Sequence, residues 1–459
     1  LDLFNLESVR IMPAEQWVIL PINHLFTMLT GWLIFSIGKH LFYREIGFIS
    51  MSIYFLSDIA WSTSISGLNI SMAIFFGVAA YQSIIKAMRY KLEDRNIKKF
   101  WIGFSLSLVL LSCAFYTRYI TGIIVLGISI YLWLGNGRFK GGNKYPIIYI
   151  SIFLILISPW LIRNFLISGN PLGLVIQTAI QNSPQFPDMS YIRDYQGLVD
   201  SKIFLKSIKE KWIINYSGDH QDLIPGIGSG LLMSFFITTF FYRFTRPAIN
   251  YLRTSLGISL LVMIFLAGFF SDSTIQMVNI FWPFVILYGI AFFYILLDRL
   301  KLGFRLYVIT AKCLIVAITA IPFGFRLMPP HEGQPYPPYH APLIYKVSNM
   351  LTPREVICTD MPWATAWYGD RISILLPKNL EQYYLINDYH QYMSGLYFTT
   401  ITKNKPFIKQ LLDGPDKSWL PIFSGRLPPD FPLKSLISLN RQDQVFISDR
   451  ERWLEESSN

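Results

Sequence analysis

Long apolar segments alternate with short polar ones over the first 325 residues of the chain. A membrane-spanning helix needs about 20 predominantly apolar residues, so this pattern is typical of a multispanning membrane protein. The second, fourth and fifth segments are short for a crossing, and we expect them to extend into their flanks, tilt or lie partly buried. The pattern predicts about ten spans, at residues 17–38, 46–57, 67–85, 100–115, 119–134, 146–163, 227–241, 255–270, 275–297 and 306–325.

The short loops between these spans fall into two alternating sets. One set carries 17 basic and four acidic residues, at positions 39–45, 86–99, 135–144, 242–253 and 298–305. The opposite set holds few charged residues, namely Asp58, Arg118 and Asp272. Because Lys and Arg concentrate in cytoplasmic loops, the first set is predicted to be cytoplasmic. Residues 1–16, the long segment 164–226 and everything after 325 are then external.

The C-terminal part of the chain, residues 326–459, has no apolar run of spanning length. It becomes rich in proline and polar residues at 329–330 and 337–338. Its patterns predict strands and helices in mixture, with strands at 355–359, 372–376 and 444–448 and helices at 362–368 and 405–412. No Walker loop and no GxGxxG motif occurs in it. The expected fold class is an α-helical polytopic membrane protein, formed by residues 1–325 with the external loop 164–226. A C-terminal external α/β or α+β domain follows at 326–459.

Composition agrees with this division and excludes a soluble globular protein. Of the 459 residues, 52% are hydrophobic and only 15% are charged, against about 25% charged in soluble domains. The net charge is +11, whereas the predicted cytoplasmic loops alone carry +13. The rest of the chain is therefore slightly negative, so the basic excess indicates membrane orientation, and no nucleic-acid partner is expected. Three scattered cysteines offer neither a metal-binding spacing nor a disulfide framework.

Ionisable residues at the external ends of the spans are the first candidates for chemistry, because charges in membranes are costly. Arg118, in a minimal turn, has a guanidinium suited to a lipid-linked phosphate; the alternative is an interfacial arginine that reaches the head groups. Arg163, at the end of the sixth span, has the same two interpretations. Asp58 is a candidate base or orienting carboxylate; the alternative is a helix cap or a solvated loop acid. Asp272 is more typical of a capping turn.

In the C-terminal part, the stretch 360–371 combines aromatic and charged residues. Asp360, Trp363, Trp367 and Arg371 form a possible surface for a sugar or an acceptor, because aromatic faces stack on sugar rings. The alternative is that the two tryptophans, four residues apart on one helical face, pack in the domain core. In the long loop, His220 with Asp219 and Asp222 is weak as a metal site, and no metal is predicted.

One motif resembles a known family. The stretch Pro-Trp-Leu-Ile-Arg-Asn at 159–164, continued by Gly-Asn-Pro-Leu at 169–172, is similar to a segment of multispanning glycosyltransferases of the GT-C superfamily. These include protein O-mannosyltransferases (glycosyltransferase family 39) and the lipid A aminoarabinose transferase. The Thr-Arg-Tyr turn at 117–119 and the stretch 31–44 agree more weakly, and the resemblance covers residues 20–175.

The resemblance implies a mechanism. Such enzymes pass a sugar from a polyprenyl-phosphate donor to an external acceptor with inversion, without a nucleotide, metal or other cofactor. Their base is an acidic residue in the first external loop, which follows a first span that we expect upstream of this sequence. We therefore expect the base upstream of Leu1 or in the stretch before Trp17. Asn69 stands where relatives have an acid.

The resulting hypothesis is a multi-pass glycosyltransferase of the bacterial plasma membrane. Arg118 and Arg163 would bind the donor phosphate, Asp58 would shape the sugar site, and the C-terminal domain would select a lipid, protein or glycan acceptor. Two alternatives remain: a transporter or lipid flippase, although no matching halves occur in the sequence, and a non-catalytic assembly partner.

Overall fold

The computed structural model separates into two compact units along the chain. The membrane unit comprises residues 14–176 and 212–331, and the second unit comprises residues 1–13, 177–211 and 332–459. The structure describes residues 15–136, 143–173, 175–186, 192–194, 199–218, 230–270, 278–301, 303–328, 341–399, 412, 414–439 and 444–452.

The chain up to residue 328 is helical almost throughout its described part. Its helices are α1 Leu20–Leu41, α2 Arg44–Phe55, α3 Asp58–Ile65, α4 Ile70–Leu92, α5 Ile97–Thr117, α6 Ile124–Asn136, α7 Lys144–Ser168, α8 Val175–Thr178, α9 Ser201–Gly218, α10 Gly230–Thr238, α11 Pro247–Phe270, α12 Trp282–Leu300 and α13 Arg305–Leu327. Short 3₁₀ turns precede α6 and α12, at Tyr119–Ile123 and Asn279–Phe281.

Eight helical segments in the described part are long and apolar enough to cross a membrane, which confirms the multispanning fold class. They are Trp17–Leu41, Ile70–Leu92, Ile97–Thr117, Tyr119–Asn136, Lys144–Ser168, Pro247–Phe269, Asn279–Leu300 and Arg305–Leu327. The other two predicted spans are helices too short to cross alone, α2 with 12 residues and the apolar segment Gly230–Phe241. Twelve residues rise only about 18 Å, against a hydrocarbon core of about 30 Å.

Packing in the membrane unit centres on α4. This helix is largely enclosed by its neighbours, whereas α7 and α13 expose most of their surface. Helices α1 and α2 cross closely at Gly38 and Gly47, where a Cβ on Gly38 would lie 2.5 Å from the Gly47 Cα. Small residues at such crossings allow membrane helices to approach backbone to backbone. The enclosed α4 and the exposed α7 and α13 frame the candidate site described below.

The second unit contains a five-stranded mixed sheet. Its elements are α14 Ala341–Asn349, β1 Val356–Thr359, α15 Pro362–Gly369, β2 Ile372–Leu375, α16 Leu380–Tyr389, β3 Gly395–Phe398, α17 Leu420–Phe423, β4 Ser435–Leu439 and β5 Gln444–Ser448. The strand order is β2-β1-β3-β5-β4; the first three strands are parallel, and β5 is antiparallel to β3 and β4. Separate apolar clusters cover the two faces, one with α14 and α15 and the other with α16 and α17. This is the expected α/β arrangement, although β3 and β4 were not predicted. The predicted helix 405–412 lies almost wholly outside the described residues.

The structure divides the loop 164–226, which we had placed with the membrane part. Residues 177–211 group with the C-terminal part. Buried Arg193 donates from Nε to the Leu376 carbonyl at 2.9 Å and from a terminal nitrogen to the Pro377 carbonyl at 3.1 Å, and Asp194 pairs with Lys378 at 3.2 Å. These bonds hold the loop segment to the end of β2.

Candidate active site

Arg118 occupies the turn between α5 and the 3₁₀ segment before α6. Its backbone is extended, with φ −150° and ψ 121°, and its carbonyl accepts from the Thr121 backbone N–H at 3.0 Å and the Thr121 hydroxyl at 2.8 Å. The Nη1 atom of the guanidinium is buried and forms no hydrogen bond within the described residues. A buried cationic donor without a partner is costly, and an anion that reached this nitrogen would remove that cost.

The predicted motif at 159–164 lies on the last turns of α7 and contacts the same turn. Tyr119 accepts two hydrogen bonds on its hydroxyl, from the Trp160 indole N–H and from Asn164 Nδ2 at 3.0 Å. Arg163 is exposed, and its guanidinium lies 4.8 Å from the centre of the Trp160 ring. The structure thus joins the segments that carry Arg118 and Arg163, although neither arginine is ion-paired in the described part.

The end of α7 explains why the motif continues into Gly-Asn-Pro-Leu. Gly169 ends the helix with φ +70°, a left-handed conformation that glycine adopts without strain. Asn164 is buried and donates a second bond, to the Pro171 carbonyl at 3.3 Å. Asn164 therefore fastens both the turn after Arg118 and the turn after α7.

Asp58 begins α3, where Ser57 caps the helix by accepting from the Ala60 backbone N–H at 3.3 Å. Its carboxylate forms an ion pair with Arg326 near the end of α13, and both side chains are partly exposed. One turn along each helix, Trp61 stacks on Phe323 with ring centres 5.1 Å apart. Asp58 and Trp61 thus join α3 to α13. The pairing of Asp58 with Arg326 was not predicted from the sequence.

A cavity of about 210 Å³ lies between the start of α1, the end of α2 and α3. His24 lines it, and its Nδ1 lies 2.8 Å from the Leu20 carbonyl. Since a carbonyl only accepts, Nδ1 carries the proton and Nε2 is the atom left for a ligand. One residue earlier, Asn23 is buried with no partner in the described part for its Nδ2. Neither residue was predicted from the sequence, where the signal was two adjacent polar residues inside an apolar run.

Hydrogen bonds place this cavity at the Arg118 end of the helices. Thr27 of α1 donates to Ser71 near the start of α4 at 3.2 Å, and Asn69 donates to the Thr117 carbonyl at 2.6 Å. The starts of α1 and α4 therefore meet the end of α5. Asn69 thus holds the residue before Arg118.

The four candidates in the second unit have different surroundings. Asp360 is buried after β1 and accepts from the Thr399 backbone N–H at 3.0 Å and the Thr399 hydroxyl at 2.8 Å. Trp363 and Trp367 are 43% and 44% exposed, so they lie outside the core. Arg371 donates to the Leu351 carbonyl at 2.8 Å and to other acceptors around α14 and α15. These bonds tie its guanidinium to the fold of the unit itself.

The weak metal candidate in the long loop and one expected capping turn lie outside the described part. His220, Asp219, Asp222 and Asp272 lie outside the described residues. Within the described part, no group of three His, Cys, Asp or Glu residues is placed to hold a metal ion.

Comparisons with known proteins agree with this architecture. Residues 7–162 match the family described as dolichyl-phosphate-mannose-protein mannosyltransferase. The structure is similar to apo ArnT from Cupriavidus metallidurans, with a TM-score of 0.54 and 12% identity over 95% of this chain and 84% of that one. It is also similar to the Archaeoglobus fulgidus oligosaccharyltransferase, solved with Zn and sulfate, with a TM-score of 0.51 and 11% identity over 86% of this chain and 57% of that one. No curated protein sequence matches significantly. The chain therefore shares the fold of these two membrane proteins, and over residues 7–162 it is similar to a mannosyltransferase family.

Proposed function

We propose that this chain is a membrane glycosyltransferase that takes its sugar from a polyprenyl-phosphate donor and passes it to an acceptor on the external side. The observation that carries the proposal is the buried, unpaired Nη1 of Arg118 at the end of α5. A phosphate oxygen is the complementary partner, because guanidinium donors bind phosphate through charge-assisted hydrogen bonds. Arg163, exposed beside Trp160 on the adjoining helix end, is the proposed second contact.

In this proposal the acceptor oxygen attacks the anomeric carbon with inversion. The bond from that carbon to the phosphate oxygen breaks, its electron pair stays on the polyprenyl phosphate, and the acceptor proton leaves to a base. Negative charge grows on the phosphate as the bond breaks, and a fixed guanidinium stabilises that charge most in the transition state. Asn23 Nδ2 and His24 Nε2, at the same end, are suited to sugar hydroxyls.

The test is a transfer assay with the full-length protein in membranes and a purified polyprenyl-phosphate sugar. Arg118→Ala should lower kcat/KM by about ten- to a hundredfold, the value of a hydrogen bond to a charged group. Arg118→Lys keeps the positive charge without the bidentate geometry of the guanidinium. Its kcat/KM should lie between those of wild type and Arg118→Ala. Arg243→Ala removes an exposed arginine from a basic loop and should retain wild-type transfer.

The same assay separates the alternatives. A transporter or flippase would move the donor without releasing free polyprenyl phosphate. An assembly partner assayed by itself would also release no polyprenyl phosphate. Full transfer by Arg118→Ala would overturn the phosphate assignment.

A further inference from the structure

A second, larger cavity lies at the other end of the membrane unit. It has a volume of about 430 Å³ and is bounded by α1, α2, α12 and α13. We call it the α2 groove; its lining residues are Phe35, Arg44, Glu45, Phe48, Ile49, Tyr294 and Lys312. Thr27, near the start of the 22-residue helix α1, meets the Arg118 end, whereas Arg44 follows the end of that helix. A helix of this length spans about 33 Å, so the groove and Arg118 belong to opposite ends.

One charge of the groove, the Lys312 ammonium, lies inside a spanning helix. Lys312 lies about two turns inside α13, where an ammonium is costly unless it is paired or reaches a polar region. Its Nζ lies 2.6 Å from the Glu45 carboxylate, which also accepts from the Tyr294 hydroxyl at 3.1 Å. This cluster holds a polar patch beside the apolar side chains of Phe35 and Phe48.

Arg44 adds a positive charge that these contacts leave free. It is exposed at the first position of α2, and within the described residues its guanidinium forms no hydrogen bond or ion pair. Together with Lys312 and Glu45 it gives the mouth of the groove a net charge of about +1 at neutral pH. The rest of the lining is apolar, with Phe48 more than half exposed.

We propose that the α2 groove binds one anionic phospholipid, with its phosphate at Arg44 and Lys312 and an acyl chain along Phe35, Phe48 and Ile49. Basic pockets between membrane helices on the cytoplasmic side are suited to anionic head groups, and the loops at this end carry the basic excess. The occupant is a phospholipid and not the sugar donor, because the proposed donor phosphate site is at the opposite end. The choice of a phospholipid over the sugar donor rests on the proposed function, whereas lipid binding in the groove does not require transferase activity.

The test is lipid binding to the purified full-length protein, measured by native mass spectrometry with phosphatidylglycerol and phosphatidylcholine of identical acyl chains. Wild type should bind phosphatidylglycerol about fivefold more tightly, since one basic side chain contributes about 1 kcal/mol near a lipid surface. Arg44→Gln should remove that preference, because it weakens the binding of anionic phosphatidylglycerol more than that of zwitterionic phosphatidylcholine, which carries the same phosphate. Phe48→Ala should weaken both lipids equally, because it removes acyl contacts only.

Two controls separate this site from general charge and from the donor site. Arg243→Gln removes an exposed arginine from another basic loop and should keep the wild-type preference. Arg118→Ala should also keep it, and added polyprenyl phosphate should not displace phosphatidylglycerol. Equal binding of the two lipids to wild type, an unchanged preference in Arg44→Gln, or displacement by polyprenyl phosphate would each overturn the proposal.

Discussion

Tyr119 is the residue through which α7 reaches the turn after Arg118. Its hydroxyl accepts from Trp160 and from buried Asn164. Tyr119→Phe removes the acceptor and keeps the ring, and among the described residues Asn164 Nδ2 then retains only the Pro171 carbonyl as its acceptor. We expect the free energy of unfolding to fall by about 1 kcal/mol, the value of one partly compensated buried bond. Thermal unfolding in detergent measures this, with Tyr307→Phe, an exposed tyrosine of α13, as the control. Equal melting of the two variants would contradict the fastening role.

At this scale the sequence offered charged candidates but not their partners. Arg118 is a candidate because a lone arginine in a short external loop departs from the positive-inside trend, and Arg163 because it is a charged residue at the end of the sixth span. Their environment depends on residues 41 to 45 positions away, since Tyr119 meets Trp160 and Asn164 only after α5 and α7 pack. The Asp58 partner, Arg326, is 268 positions away. A single sequence carries no signal for such pairings.

At the scale of elements, α3 depends on α13 for its position. The Asp58–Arg326 pair and the Trp61–Phe323 stack join the two helices, and α3 lines the cavity that contains His24. Arg326→Asp alone places two carboxylates side by side and should destabilise the protein by about 1 kcal/mol, because the pair is partly exposed. The exchange Asp58→Arg with Arg326→Asp should restore both melting and transfer if the pair positions α3.

A double-mutant cycle measures that coupling, with unfolding and transfer recorded on the same preparations. Restored melting without restored transfer would assign Asp58 a direct role with the substrate.

Hydrophobic patterns predicted elements where length and pattern agree. β1, β2 and β5 were predicted because apolar runs end at turn residues or proline, and α15 because Pro362 opens it. β3 is only four residues and begins with Gly395, and β4 begins with Ser435, so neither run stands out. α2 was predicted as a span because hydropathy reports apolar character rather than the length of the folded helix.

For the whole molecule, the two ends of the membrane unit have different chemistry. One end has the unpaired Arg118 donor and the His24 cavity, and the other has the basic loops and the α2 groove. The sequence predicted this asymmetry through the distribution of charge, since the excess of +11 is concentrated in one set of loops. It did not predict the two cavities, because each is lined by helices distant in sequence.

The stability of the second unit depends on pH through one largely buried ion-pair cluster. Arg452, almost fully buried, pairs with Glu355 at 2.7 Å and with Asp449 at 2.7 Å, which ties the segment after β5 to the start of β1. Burial alone would raise the pKa of Glu355, but hydrogen bonds from Arg452 and from the Thr352 backbone N–H outweigh it and lower this pKa to about 2. An unfolded glutamate has a pKa of about 4.3. The pair therefore contributes its full stability above about pH 5 and loses it as the pH falls through 4 toward 2.

Glu355→Gln tests this link in the intact protein. Glutamine cannot ionise, so the variant should melt at a lower temperature at pH 7 and lose less of its remaining stability than wild type between pH 5 and pH 3. Glu381→Gln, at an exposed position in the first turn of α16, is the matched control and should follow the wild-type pH profile. Thermal melts followed by tryptophan fluorescence measure this, and Trp419, buried in the core of this unit, contributes to the signal. Parallel profiles for wild type and Glu355→Gln would mean that acid acts on this unit through other carboxylates.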